Sequence, residues 1–243
     1  MRLHRLYTQQ ELEPDHAIRL ENGRAHYLGR VLRVTAGQAI VLFNGDGRDY
    51  AAEVEAVDRN TVHIAVRSRL PARRESPLPV TVVQAVSRGE RMDQTLQKCT
   101  ELGVAGFRLL LSERVEVRLD EKRLAKRMDH WRSVIVAACE QSGRARVPAL
   151  TAPCGLDAWL EGGDAPAPTR LVLDPDAESR LATVPAATAF ELVVGPEGGF
   201  SAAELERMRA RNVRGVTLGP RILRTETAAP AAVAVLQALH GDF

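Results

Sequence analysis

Neither Gly-x-Gly-x-x-Gly nor a glycine loop closed by Lys-Ser or Lys-Thr occurs in the sequence. Both patterns place phosphate against a helix N-terminus, and their absence points away from NAD and ATP. There are 3 cysteines, Cys99, Cys139 and Cys154, an odd number without Cys-x-x-Cys spacing. This argues against a disulfide framework or a zinc site and fits a reduced, cytoplasmic protein. The 6 histidines are scattered as well, so no metal is expected. The opening residues MRLHRLYTQQEL hold no apolar h-region and no small-residue cleavage site, and a secretory signal is not expected. The longest apolar run, around Ala228 to Leu239, is too short and too interrupted to cross a bilayer. It reads as a buried helix, and no membrane partner is expected.

Hydrophobic residues make up 45% and charged residues 26% of the chain, an ordinary globular balance, and 243 residues suffice for one large domain or two smaller ones. The formal net charge of +2 hides a gradient, since positions 1–74 carry 12 Lys and Arg against 9 Asp and Glu, or +3, while the remainder has 21 against 22, or −1. A basic N-terminal part is consistent with phosphate contacts and equally with a solvated surface. Within it, Gln38 to Phe43 is an apolar run ending at Asn44-Gly45-Asp46-Gly47. Tyr50 to Val57 and Val62 to Val66 alternate around Asp58-Arg59-Asn60. Short alternating strands joined by such turns predict a small barrel. The spacing in AHYLGRVLRV, Ala25 to Val34, predicts a short helix with His26, Arg30 and Arg33 at i, i+4 and i+7. LPARRESPLP, Leu70 to Pro79, is a proline-rich linker, which divides the chain into residues 1–72 and 76–243.

Beyond the linker the pattern changes to strands alternating with helices, which predicts an α/β domain with a parallel sheet. Val80 to Val86 reads as a buried strand, followed by Ser87-Arg88-Gly89-Glu90-Arg91 and an amphipathic helix closed by Gly103. Phe107 to Leu111 and Arg170 to Leu173 are further strands. A long helix is expected from Asp120 to the EQSGR run, and a short one from Gly155 to Gly163. Two Gly-Pro turns then follow buried runs directly: Leu192 to Val194 stops at Gly195-Pro196, and Gly215 to Leu218 stops at Gly219-Pro220. In parallel sheets, ligands bind beyond the carboxyl ends of the strands. The first turn continues as GPEGGFS, whose three glycines let backbone approach a ligand and whose Ser201 and Glu204 form a capping box. In the second, LGPRILRTETA, Arg224, Thr225, Glu226 and Thr227 crowd a loop between apolar segments and need partners; Thr225 alone is explained as a helix cap.

The pair VGPEGGFS and LGPRILRTETA closely resembles the signature of SPOUT methyltransferases, and specifically the RsmE family. AHYLGRVLR, SRGERMDQTLQKCTELG and ACEQSGR resemble that family in the same order, so the likeness runs through nearly the whole chain. The resemblance implies a SPOUT-type parallel-sheet domain with a deep trefoil knot, preceded by a PUA-like RNA-binding β-barrel. It further implies S-adenosylmethionine as cofactor, N3 of a uridine in bacterial 16S rRNA of the small ribosomal subunit as target, and a homodimer. Leu171, Val172, Leu173, Gly195, Pro196, Glu197, Gly198, Gly199, Leu218, Gly219, Ile222, Leu223, Arg224 and Thr225 are then the expected cofactor residues. Arg30, Arg33, Arg88, Arg91 and Arg144 are expected on RNA. Uridine N3 is protonated at neutral pH, so the site must align the reacting atoms, help the proton leave and stabilise the anion. Arg224 is expected to stabilise that anion or steer the cofactor carboxylate, and Glu226 to accept the proton or pair with Arg224. Two alternatives stay open: a knotted methyltransferase with another RNA target, and a non-catalytic rRNA-binding assembly factor.

Overall fold

The structure, a computed structural model, describes residues 3–72, 75–114, 121–162 and 168–243. Asp120 and Gly163, expected at the ends of helices, lie outside the described residues, as do the linker residues Arg73 and Arg74. The chain forms two units: residues 1–75 with 139–147, and residues 76–138 with 148–243. The boundary between residues 75 and 76 lies within the proline-rich stretch Leu70 to Pro79, and the ACEQSGR segment groups mainly with the N-terminal unit.

The first unit holds β1 (His4–Tyr7), β2 (Ala17–Glu21), α1 (Asn22–His26), a π-helical turn (Tyr27–Val31), β3 (Ala39–Phe43), β4 (Tyr50–Val57) and β5 (Thr61–Arg69). Its sheet runs β1-β3-β4-β5-β2, with β1 parallel to β3 and the other pairs antiparallel. The β3–β4 turn is the expected one: Gly45 and Gly47 both sit at φ +94°, and Asn44 and Asp46 accept from backbone N–H groups two residues on. Alternation along β4 sends Tyr50, Ala52 and Val54 inward to join Leu6, Leu28, Ile40, Leu42 and Ile64 in one core. The predicted helix over Ala25 to Val34 is corrected. The chain widens into the π turn, where Leu32 N–H reaches Tyr27 C=O at 3.0 Å, and Arg33 leaves it at φ +52°. His26, Arg30 and Arg33 remain exposed but do not share one helical stripe.

The second unit contains β6 (Val80–Ala85), α2 (Glu90–Glu101), β7 (Gly106–Leu111), α3 (Glu121–Ser142), β8 (Ala149–Gly155), α4 (Leu156–Glu161), β9 (Thr169–Leu173), β10 (Phe190–Val194), α5 (Ala202–Ala210), β11 (Arg214–Val216) and α6 (Thr225–His240). The last turn of α3 groups with the first unit. All six strands are parallel, in the order β11-β9-β10-β6-β7-β8. From β6 the chain steps outward through β7 and β8, crosses to β9, returns inward to β10 and passes out again to β11. The winding thus reverses between the neighbours β6 and β10, the place where open α/β sheets form a crevice. β10 is buried along its whole length, as a central strand covered on both faces must be. Its one charge, Glu191, is paired with Arg108 on β7 at 3.0 Å and Arg170 on β9 at 2.9 Å. β8 is absent from the sequence reading because it is a largely exposed edge strand, with a neighbour on one side and no apolar alternation to mark it.

Candidate functional site at the strand ends

The carboxyl ends of β9, β10 and β11 open into a cavity of about 590 Å³, within the range of small-ligand sites. Three loops wall it: Asp174 to Asp176 after β9, Gly195 to Phe200 after β10, and Thr217 to Glu226 between β11 and the start of α6. The first is tied by Asp174 N–H to Val216 C=O at 3.0 Å and by Asp176 N–H to the Asp174 carboxylate.

The glycine-rich loop is pinned at several points. Gly195 C=O accepts from the Thr225 hydroxyl at 3.0 Å, and Gly198 C=O accepts from the Arg114 guanidinium at 2.7 Å. The Glu197 carboxylate meets Arg91 at 2.8 Å. Burial pushes the Glu197 carboxyl up, but its own backbone N–H, the Arg91 guanidinium and the Arg88 backbone outweigh this and hold it below the usual carboxylate range. Glycine is required twice: at Gly195 a Cβ would stand 3.2 Å from the Phe200 ring, and Gly199 takes φ +67°. The Ser201–Glu204 capping box forms in both directions and starts α5 as the sequence predicts.

In the second loop Gly219 adopts φ +138° and its N–H reaches the Thr217 hydroxyl. Arg224 is the N-cap of α6 through its backbone, its carbonyl accepting from Thr227 and Ala228, so its exposed side chain is left out of the cap. Glu226 lies in the first turn of α6, with Oε1 4.0 Å from Arg91 Nε and Oε2 buried without a hydrogen-bond partner among the described residues.

A family model described as RNA methyltransferase domain matches residues 74–237, and one described as RNA methyltransferase PUA domain matches residues 20–67. The chain belongs to the RNA methyltransferase family. Among named relatives, the ribosomal RNA small subunit methyltransferase E of Buchnera aphidicola subsp. Schizaphis graminum is 31% identical over 243 residues, covering 100% of this chain and 98% of that protein. Two solved structures superpose over 100% of both chains. Lpg2936 of Legionella pneumophila, in complex with S-adenosylmethionine, has a TM-score of 0.95 at 38% identity. The ribosomal RNA small subunit methyltransferase E of Neisseria gonorrhoeae, bound to S-adenosylmethionine, has a TM-score of 0.92 at 35% identity.

In this RNA methyltransferase the cavity gathers most of the residues singled out for a cofactor: Leu173, Gly195, Pro196, Glu197, Gly199, Leu218, Ile222, Leu223, Arg224 and Thr225 all line it. Leu171 and Val172 do not. They are buried inside β9, upstream of the edge where the cavity opens, and serve the sheet. Gly198 and Gly219 belong to the walling loops without facing the cavity. Asp174 and Asp176 line it from the loop after the predicted strand Arg170 to Leu173, which the sequence places at the ligand edge of the sheet, while Phe200, Thr217 and Arg221 line it without having been expected there.

Three charged residues of the expected site have these partners in the structure. Glu226 faces Arg91, not Arg224. Arg91, expected on RNA, lies on the cavity wall paired with Glu197. Arg144, also expected on RNA, is only 11% exposed and held by Glu75 at 2.6 Å within the N-terminal unit. The same unit encloses Arg5, which pairs with buried Asp49 and donates to the carbonyls of Cys139 and Arg144. Cys139 to Arg144 of the ACEQSGR segment thus belong to that unit, with Arg144 ion-paired and Gln141 and Ser142 exposed. Arg30 and Arg33 are exposed there, and Arg88 is exposed before α2. Among the described residues no group of His, Cys, Asp and Glu is arranged to hold a metal, and no helix is long and apolar enough to cross a membrane.

Proposed function

We propose that this RNA methyltransferase uses S-adenosylmethionine to methylate N3 of a uridine in bacterial 16S rRNA of the small ribosomal subunit, in the cytoplasm. The observation that carries the reading is a nucleoside-sized cavity at the strand ends, walled by two glycine-bearing loops and lined by both Arg224 and Glu226. The cavity fits the cofactor: Leu173, Leu218 and Leu223 offer apolar surface to a base, backbone groups of Gly195 to Gly199 stand close by, and two carboxylates on the lining, Asp174 and Asp176, offer acceptors for hydroxyl or ammonium groups. When bound, S-adenosylmethionine supplies an electrophilic methyl group on a sulfonium.

The chain's own residues do the rest. The loops hold donor and base in line, which is the larger part of the acceleration. The Glu226 carboxylate, on the cavity lining, accepts the N3 proton, and N3 takes up the methyl group. The Arg224 guanidinium, free of the helix cap, offsets the negative charge that spreads onto the uracil oxygens. Arg91, bound to Glu197 and facing Glu226, keeps two carboxylates close together without mutual repulsion. RNA phosphates are met by exposed Arg30, Arg33 and Arg88, and the uridine is turned outward from its helix.

The course of the chain through β9, β10 and β11 supports a trefoil knot in the methyltransferase unit, and Ile222, 86% exposed at the cavity rim, supports a homodimer. The test is incubation with labelled S-adenosylmethionine and unmethylated small subunits, followed by nucleoside mass spectrometry. A single 3-methyluridine is expected. Label in a ribose methyl or in another base overturns the target, and cofactor binding with no transfer overturns the activity.

A further inference from the structure

Gln84 is the penultimate residue of β6 and is fully buried, yet it does not line the cavity. Its Nε2 donates to Ala85 C=O and to the Thr225 hydroxyl, both at 2.9 Å. The carbonyl partner fixes the amide orientation, because only the nitrogen can donate to it. Thr225 has one hydroxyl proton; with the Gln84 N–H on its lone pair, that proton goes to Gly195 C=O at 3.0 Å. A relay therefore runs from a central strand, through the first residue of α6, to the turn that opens the glycine-rich loop. It joins positions 84, 195 and 225, two of which line the cavity from opposite loops. Gln84 Oε1 has no hydrogen-bond partner among the described residues. A fully buried amide with an orphaned oxygen occupies a strand position that an apolar residue would fill without that penalty, which points to a task other than packing.

We propose that Gln84 is a positioning residue of the cofactor cavity: its amide orients the Thr225 hydroxyl onto the Gly195 carbonyl and so sets the spacing of the two walling loops. This rests on the cofactor reading above. It is tested by titrating S-adenosylmethionine calorimetrically into the full-length protein and its Gln84→Met, Thr225→Val, Thr225→Ser and Q84M/T225V variants, with thermal unfolding alongside.

Gln84→Met keeps the volume and removes the donor; the expected result is about tenfold weaker binding, the size of one lost hydrogen bond. Thr225→Val loses at least as much, Thr225→Ser recovers most of that loss, and the double variant is no weaker than Thr225→Val alone, since Gln84 acts through Thr225. In methylation assays KM for S-adenosylmethionine rises while KM for RNA stays put. Gln84→Met binding within twofold of the unsubstituted protein overturns the proposal, as does a double variant in which the two losses add. Should Gln84→Met fail to fold, the Val and Ser variants decide, and equal affinity in those two overturns it. Failure of the unsubstituted protein to bind S-adenosylmethionine overturns the functional reading and this inference together.

Discussion

Replacing Arg224 by Ala separates chemistry from folding at this site. The side chain is exposed, and no cap hydrogen bond of α6 uses it, because the bonds to Thr227 and Ala228 come from the Arg224 carbonyl, which alanine retains. The stability change should therefore stay within about 0.5 kcal/mol, the range of surface substitutions that break no specific contact. The catalytic loss should be far larger. A pre-organised group facing the charge that develops in a transition state is worth about 2.7–4 kcal/mol, or roughly 10² to 10³ in kcat. Two mechanisms split on KM: loss of anion stabilisation lowers kcat with KM for S-adenosylmethionine nearly constant, whereas loss of a grip on the cofactor carboxylate raises that KM. The assay is single-turnover methyl transfer to small subunits, with urea unfolding as the control. Activity within threefold of the unsubstituted protein would remove Arg224 from the mechanism. An equal drop in activity and stability would mean that the side chain holds the loop.

Further outcomes follow from the charge pairs and the thiols. Glu191→Ala leaves Arg108 and Arg170 without their shared carboxylate in the sheet; the expected cost is about 3 kcal/mol in urea unfolding, the lower end for a broken buried pair because Arg108 regains water. A loss below about 1 kcal/mol would refute that reading. Arg144→Ala should lower the melting temperature, since it leaves half-buried Glu75 with the Arg146 N–H but without its guanidinium partner, and leave the salt dependence of RNA binding alone. Removing Arg30 and Arg33 together should flatten that dependence by roughly one to two units of slope without changing stability. Burial pushes the Cys139 thiol up to about 12 and raises Cys99 and Cys154 as well, with Arg108 opposing the shift at Cys154. The thiolate is the reactive form, so at pH 8 iodoacetamide should modify half-buried Cys154 first, and Cys99 and Cys139 only on unfolding. Prompt alkylation of Cys139 in the native protein would contradict its burial.

What the sequence determined by itself is local. Gly195-Pro196 stops buried β10 where the next residues are too constrained to continue a strand, so that strand end, its loop and the Ser201 cap could be read from adjacent residues. The run expected from Gly215 to Leu218 instead ends at Val216, the one buried residue of β11, before Gly219-Pro220. The change from period-two alternation before the linker to strands alternating with helices after it separated the two kinds of sheet. Where one neighbour was not enough, the reading slipped. The helix over Ala25 to Val34 widened into a π turn to bury Leu28, and edge strand β8 lacked the alternation that a second neighbour would have imposed. Tertiary structure alone decided which groups meet across the chain. Arg91 found Glu197 across 106 positions, Arg144 found Glu75 across 69, and Gln84 reached Thr225 across 141. Hydrogen bonds and ion pairs of that kind have no sequence period, because their partners are brought together by strand order. That order, β6 beside β10 and β9 beside β11, follows from how six parallel strands bury their faces together, and no single segment encodes it.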